Sequence, residues 1–96
     1  RIFPDADGRM NRSVTDVGGE VLLVSQFTLA ADTGKGLRPG FSTAMAPAEA
    51  EAFYAWMLAE LRARHAGVAA GEFGANMQVS LVNDGPVTFL LESGPA

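Results

Sequence analysis

Glu20-Val21-Leu22-Leu23-Val24-Ser25-Gln26-Phe27-Thr28-Leu29 (EVLLVSQFTL, residues 20–29) is the stretch on which the fold turns. Its four consecutive apolar residues, Val21 to Val24, break strict alternation, so the segment reads as a strand that wants cover on both faces. Ser25, Gln26 and Thr28 then place three hydrogen-bonding side chains inside or at the end of that apolar strand. Such groups must bond within the sheet or line a pocket, and the residues alone leave both alternatives open.

Upstream, Asp5 to Gly8 (DADG) is a turn signal, and Val14 to Gly19 is a short segment ending in a glycine pair. Downstream, residues 30–46 (AADTGKGLRPGFSTAMA) hold three glycines and a proline and predict a long exposed loop. From Pro47 the pattern becomes helical. Ala50, Phe53, Tyr54, Met57, Leu58 and Leu61 share one face as a core stripe, Pro47 suits the first turn, and Gly67 is placed to end the helix. Met77 to Val82 and Val87 to Glu92 predict two strands around the tight turn Asn83-Asp84-Gly85-Pro86.

One main helix with three or four strands predicts an α+β class and a single domain over residues 1–96. That inventory is too small to cover both faces of the 20–29 strand. The chain also opens on Arg1-Ile2-Phe3, as the middle of a domain would. Together these features lead us to expect both a missing N-terminal portion and a partner subunit.

Composition narrows the function. With 48% hydrophobic and 19% charged residues the chain is globular, near the size at which a core just supports itself. No apolar run approaches the roughly 20 residues that span a bilayer, so no membrane role and a cytoplasmic location are expected. The absence of cysteine removes disulfides and thiolate ligands, and with one histidine no metal site is expected. The net charge of −4 argues against unspecific nucleic-acid binding. Charge is uneven, however: Arg1, Arg9, Arg12, Lys35 and Arg38 all lie in the first 40 residues, where any phosphate-binding surface is expected.

The usual catalytic kits are missing: the sequence has neither HExxH nor GxSxG. His65 follows Arg62 and Arg64 at the end of the predicted helix, where a cationic side chain complements the dipole, and it reads as structural. Asp5 and Asp7 read as solvated turn residues rather than a carboxylate pair. Asn83 to Thr88 (NDGPVT) is ordinarily only a turn, and the isomer of its Gly–Pro bond is not readable from sequence.

Taken together, VSQFTL (Val24 to Leu29), RPGF (Arg38 to Phe41), FGANM (Phe73 to Met77) and VNDGPVT (Val82 to Thr88) resemble the D-aminoacyl-tRNA deacylase family, in its order and spacing, over essentially the whole chain. The resemblance implies antiparallel barrel-like subunits in a homodimer with a cross-subunit active site. It implies hydrolysis of D-aminoacyl-tRNA, and of glycyl-tRNA mischarged on tRNA-Ala, without a cofactor. Carried over by position, Gln26, Phe27 and Thr28 are catalytic, and Ser25, Leu29, Phe73 and Met77 bind substrate. Gly85 and Pro86, as a cis pair from the partner, enforce chirality. With no base near Thr28 in sequence, main-chain N–H groups and the substrate's own 2′-hydroxyl are the expected chemistry, with Thr28 a positioning group. Two rivals are an editing module of the same fold from a synthetase, which NDGPVT disfavours, and an inactive truncated fragment.

Overall fold

In the computed structural model, which describes residues 1–93, the DADG segment forms the expected turn. Asp5 Oδ1 accepts from the N–H groups of Asp7 (2.9 Å) and Arg9 (3.0 Å), and Gly8 takes the left-handed φ of +79°. The turn joins β1 (Phe3–Pro4) to β2 (Met10–Arg12) in an antiparallel pair. The Arg9 N–H bond, above all, holds the Asp5 carboxyl below its ordinary pKa. Asp16 is lowered likewise, chiefly by the Ser13 N–H that its Oδ2 accepts at 2.8 Å.

The central element is β3 (Val21–Leu23), which pairs in parallel with β4 (Val68–Ala70), Val21 opposite Val68 and Leu23 opposite Ala70. Parallel neighbours need a long crossover, and α1 (Pro47–Arg64) lies within it. Pro47 stands in the first turn, as expected. The helix ends differently from expectation. His65 is its C-cap with extended backbone (φ −145°, ψ 135°), and Gly67 is not left-handed. Gly67 instead leaves room for Glu20, whose Cγ would lie 3.0 Å from a Cβ there, and its carbonyl receives the Val21 N–H at 2.8 Å.

His65 is structural through hydrogen bonds rather than through the dipole alone. Its Nε2 is 2.8 Å from the Gly19 carbonyl, which can only accept, so that nitrogen carries a proton; Nδ1 is 3.4 Å from the Thr15 hydroxyl. The helix end is thereby tied to the turn that leads into β3.

Three expectations need correction. The 20–29 strand is hydrogen-bonded only over Val21–Leu23, and the chain then turns into a 3₁₀ helix at Phe27–Ala30. The reason lies at the ladder's end: Leu23 O accepts the Gly71 N–H (2.8 Å), and the Tyr54 hydroxyl lies against both Gly71 O (2.5 Å) and Leu23 O (3.2 Å). Second, residues 77–82 and 87–92 are not strands, since no backbone partner pairs with them among the described residues. Third, the helical stripe is split, with Ala50, Tyr54, Leu58 and Leu61 half-buried but Phe53 and Met57 exposed.

The α+β class therefore stands, as two two-stranded sheets and one helix. Its apolar surface is open. Among the described residues no side chain is fully buried, and the accessible surface of 8392 Å² far exceeds the roughly 5,200 Å² expected for a self-covering monomer of this mass. The radius of gyration, 16.2 Å, likewise exceeds the roughly 12.5 Å of a compact domain of this length.

Tyr54→Phe keeps the ring and deletes the hydroxyl that closes the β3–β4 ladder. We expect a loss of about 1 kcal/mol, seen as a lower urea midpoint with an unchanged slope. An unchanged midpoint would show that the hydroxyl contributes nothing net.

Candidate functional site

The polar end of the 20–29 segment lies where β3 stops. Gln26 (φ −149°, ψ 84°) precedes the 3₁₀ helix and turns the chain so that Phe27 and Leu29 project outward, 63% and 82% exposed. Residues opening a helix have no intrahelical acceptor for their N–H groups. Those of Phe27 and Thr28 indeed make no backbone hydrogen bond among the described residues. The Gln26 amide donates to Thr28 Oγ1 in a close contact, which orients the hydroxyl. Among the described residues no carboxylate, lysine or histidine hydrogen-bonds to Thr28, and His65 is engaged elsewhere. The arrangement offers main-chain donors and an oriented hydroxyl beside an exposed aromatic face, and no general base.

A second layer braces this turn. Phe41 meets Phe27 edge-on, with ring centroids 4.9 Å apart at 67°, and Thr43 Oγ1 donates to Ala30 O at 2.8 Å. Residues 32–40 leave the turn as a loop whose neck is closed by paired hydrogen bonds between Asp32 and Gly40 (2.7 and 2.8 Å).

Phe73 and Met77 occupy a neighbouring region. Phe73 stacks on Tyr54 at 5.8 Å. Met77 lines an apolar groove of about 300 Å³ with Leu22, Val24, Gly71 and Val79. Gly71 lets Met77 lie close, because a Cβ there would stand 2.8 Å from Met77 Sδ and push that side chain aside. Ser25 is half-buried next to Val24, at the junction of groove and turn.

The Asn83–Thr88 turn is organised by its own side chains. Asn83 Oδ1 accepts the Val87 N–H (3.2 Å), and Asn83 Nδ2 donates to Thr88 Oγ1 (2.9 Å). Gly85 has φ +131°, and the Gly85–Pro86 bond is cis. Among the described residues, no hydrogen bond or aromatic pair joins this turn, Phe73 or Met77 to residues 25–29. No polar or aromatic contact among the described residues therefore joins the expected site residues of one chain into a single bonded cluster. Two supporting residues were not recognised as such from sequence: Tyr54, read as core stripe, and Phe41, noted only within the RPGF string.

A family model described as D-Tyr-tRNA(Tyr) deacylase matches residues 1–92. A D-aminoacyl-tRNA deacylase of Stutzerimonas stutzeri (strain A1501) is 66% identical over 93 residues, covering 97% of this chain and 64% of that protein. One from Cellvibrio japonicus (strain Ueda107) is 63% identical over 92 residues, covering 96% and 63%. A solved structure named c-Myc DNA Unwinding Element Binding Protein superposes with a TM-score of 0.86 at 45% identity, over 99% of this chain and 65% of that one. The chain thus spans less than two thirds of the length of each of these proteins.

At Gly85 an added Cβ would fall 2.6 Å from Val87 Cγ2 and 2.9 Å from Val87 N, at a φ that side chains rarely adopt. Gly85→Ala should therefore displace Val87 from Asn83. The expected sign is faster hydrogen exchange of the Val87 amide, with β3 and β4 amides unaffected; unchanged Val87 protection would refute it.

Proposed function

The chain belongs to the D-Tyr-tRNA(Tyr) deacylase family, and we propose that the protein hydrolyses the ester bond of D-aminoacyl-tRNA, releasing the free D-amino acid and tRNA. Its substrates include glycyl-tRNA mischarged on tRNA-Ala, and it works in the cytoplasm without a cofactor. The observation that carries this reading is the exposed Gln26–Leu29 turn, with unengaged N–H groups and no adjacent base.

An aminoacyl ester is already activated, so the protein's task is to hold the carbonyl and stabilise the oxyanion. The N–H groups of Phe27 and Thr28 receive the developing negative charge. Gln26 orients Thr28, whose hydroxyl positions the ester, while Ser25, Leu29, Phe73 and Met77 form the walls for the terminal adenosine. Water adds to the carbonyl carbon, and its proton passes through the ribose 2′-hydroxyl to the departing 3′-oxygen as the C–O bond breaks. Gly85 and Pro86 exclude an L side chain and do no chemistry.

We assign the complete site to a homodimer of barrel-like subunits in which one protomer supplies residues 25–29 and its partner the Gly85–Pro86 turn, since no hydrogen bond or aromatic pair joins the two segments among the described residues of one chain. The open apolar surface supports this assembly. Sedimentation at micromolar concentration should give a dimer, and a folded, active monomer would overturn the assignment.

The mechanism is tested with matched D- and L-aminoacyl-tRNAs, including a D substrate with a 2′-deoxy terminal ribose. We expect wild type to hydrolyse the D ester only, to fail on the 2′-deoxy ester, and Thr28→Ala to retain substantial activity. A dead Thr28→Ala enzyme together with normal 2′-deoxy hydrolysis would make the side chain the nucleophile. No hydrolysis of any D-aminoacyl-tRNA by wild type would favour the inert fragment. The synthetase editing module gains no support from the relatives described above.

A further inference from the structure

Between Asp32 and Glu49 the chain carries Lys35 and Arg38 and not one carboxylate, in a protein whose net charge is −4. Elsewhere the cations are interleaved with acids. Arg12 donates to the Asp16 carbonyl at 2.7 Å and, with Arg1, lowers the Asp16 pKa, while Arg64 pairs with Glu60 at 3.3 Å. No ion pair engages Lys35 or Arg38 among the described residues.

These two cations stand on a built arm. Its neck is the Asp32–Gly40 hydrogen-bonded pair, tightened by Asp32 Oδ1 accepting the Gly34 N–H at 2.9 Å. Gly36 takes φ +76°, turning the chain at the tip beside fully exposed Leu37. The base is held to the 3₁₀ turn by Phe41 against Phe27 and by Thr43 against Ala30, with Ala44 N–H closing on Phe41 O at 3.0 Å. Four residues from neck to tip reach at most about 14 Å. The charges therefore lie within that reach of the Asp32–Gly40 neck, whose far side is braced against the 3₁₀ turn by Phe41 and Thr43.

Resting on the deacylase reading above, we infer that residues 32–40 form a phosphate-docking arm that grips the tRNA backbone next to the terminal nucleotide. An acidic protein gains little from unspecific attraction to a polyanion. A local pair of cations clamped to the catalytic turn resolves this, because it delivers attraction only where the ester must be placed. Phe41 is then a positioning residue that transmits backbone docking to Phe27.

The test is binding of uncharged tRNA to the protein across a salt series, for wild type and Lys35→Ala/Arg38→Ala, beside hydrolysis of a D-aminoacyl-adenosine lacking phosphates. The double variant should bind tRNA on the order of tenfold more weakly near 0.1 M salt, with a log–log salt slope smaller by about 1.5. Its hydrolysis of the phosphate-free ester should match wild type. An unchanged affinity and slope would overturn the inference, as would an equal loss on both substrates, which would make the arm a mere prop for the turn. Displacement of tRNA by duplex DNA at the same nucleotide concentration would reassign the arm to polyanions in general and overturn its assignment to tRNA. Binding that behaves as expected in a wild type that hydrolyses nothing would sink the deacylase reading and leave the arm standing.

Discussion

The short parallel ladder between β3 and β4, closed at one end by the Tyr54 hydroxyl, is the contact on which the other positions depend. It fixes where Leu23 ends as strand, and so where Ser25, Gln26 and the 3₁₀ turn begin. It also brings Gly71 against Val24 and Met77, which shapes the groove beside the turn. At the other end, His65 joins the C-terminus of α1 to the Gly19 carbonyl and holds the entry to β3. A ladder of three residue pairs would be marginal alone, because hydrogen bonds exchanged with water contribute only about 1 kcal/mol each. Its clamps at both ends come from side chains of the crossover.

Among the described residues the same ladder leaves β3 with a free edge and its Leu22 face uncovered, while Val21 and Leu23 on the other face are half-buried. Leu22 is 62% exposed, and Leu90 and Leu91 lie in the open as well. Surface of this kind is removed from water by association. That physical demand is one that the second subunit proposed above would meet, by covering the apolar surface and completing the pocket.

Much of this was legible in the sequence, for reasons that differ by residue. The DADG turn and the Pro47 start of α1 follow from local backbone preferences, and both occur where expected. The apolar run at Val21 to Val24 correctly located the central strand but overstated its length, because periodicity cannot see a tyrosine hydroxyl arriving from 31 residues away. The segments 77–82 and 87–92 have strand composition, yet a strand exists only where a partner supplies hydrogen bonds. Gly67 was misread for a related reason: it does not take a left-handed φ to end the helix, and what sets it apart is its close approach to Glu20, a tertiary fact. Of the candidate site, Ser25, Gln26 and Thr28 were visible as polar groups out of place in an apolar strand, whereas Phe27 and Leu29 were named only through the family resemblance. Phe41 was not, since a lone aromatic in a glycine-rich loop carries no periodicity; only its contact with Phe27 reveals it.

The closed neck at Asp32 and Gly40 has a consequence for how this fold tolerates change. Once two backbone hydrogen bonds seal the loop, residues beyond them can be inserted or deleted without moving Phe41 or Thr43. Doubling the length of such a loop costs only about 0.6 kcal/mol in closure entropy. The geometry of the turn is thus insulated from changes in the length of the tip, and it is the placement of Lys35 and Arg38, not the fold, that limits how far the tip can vary.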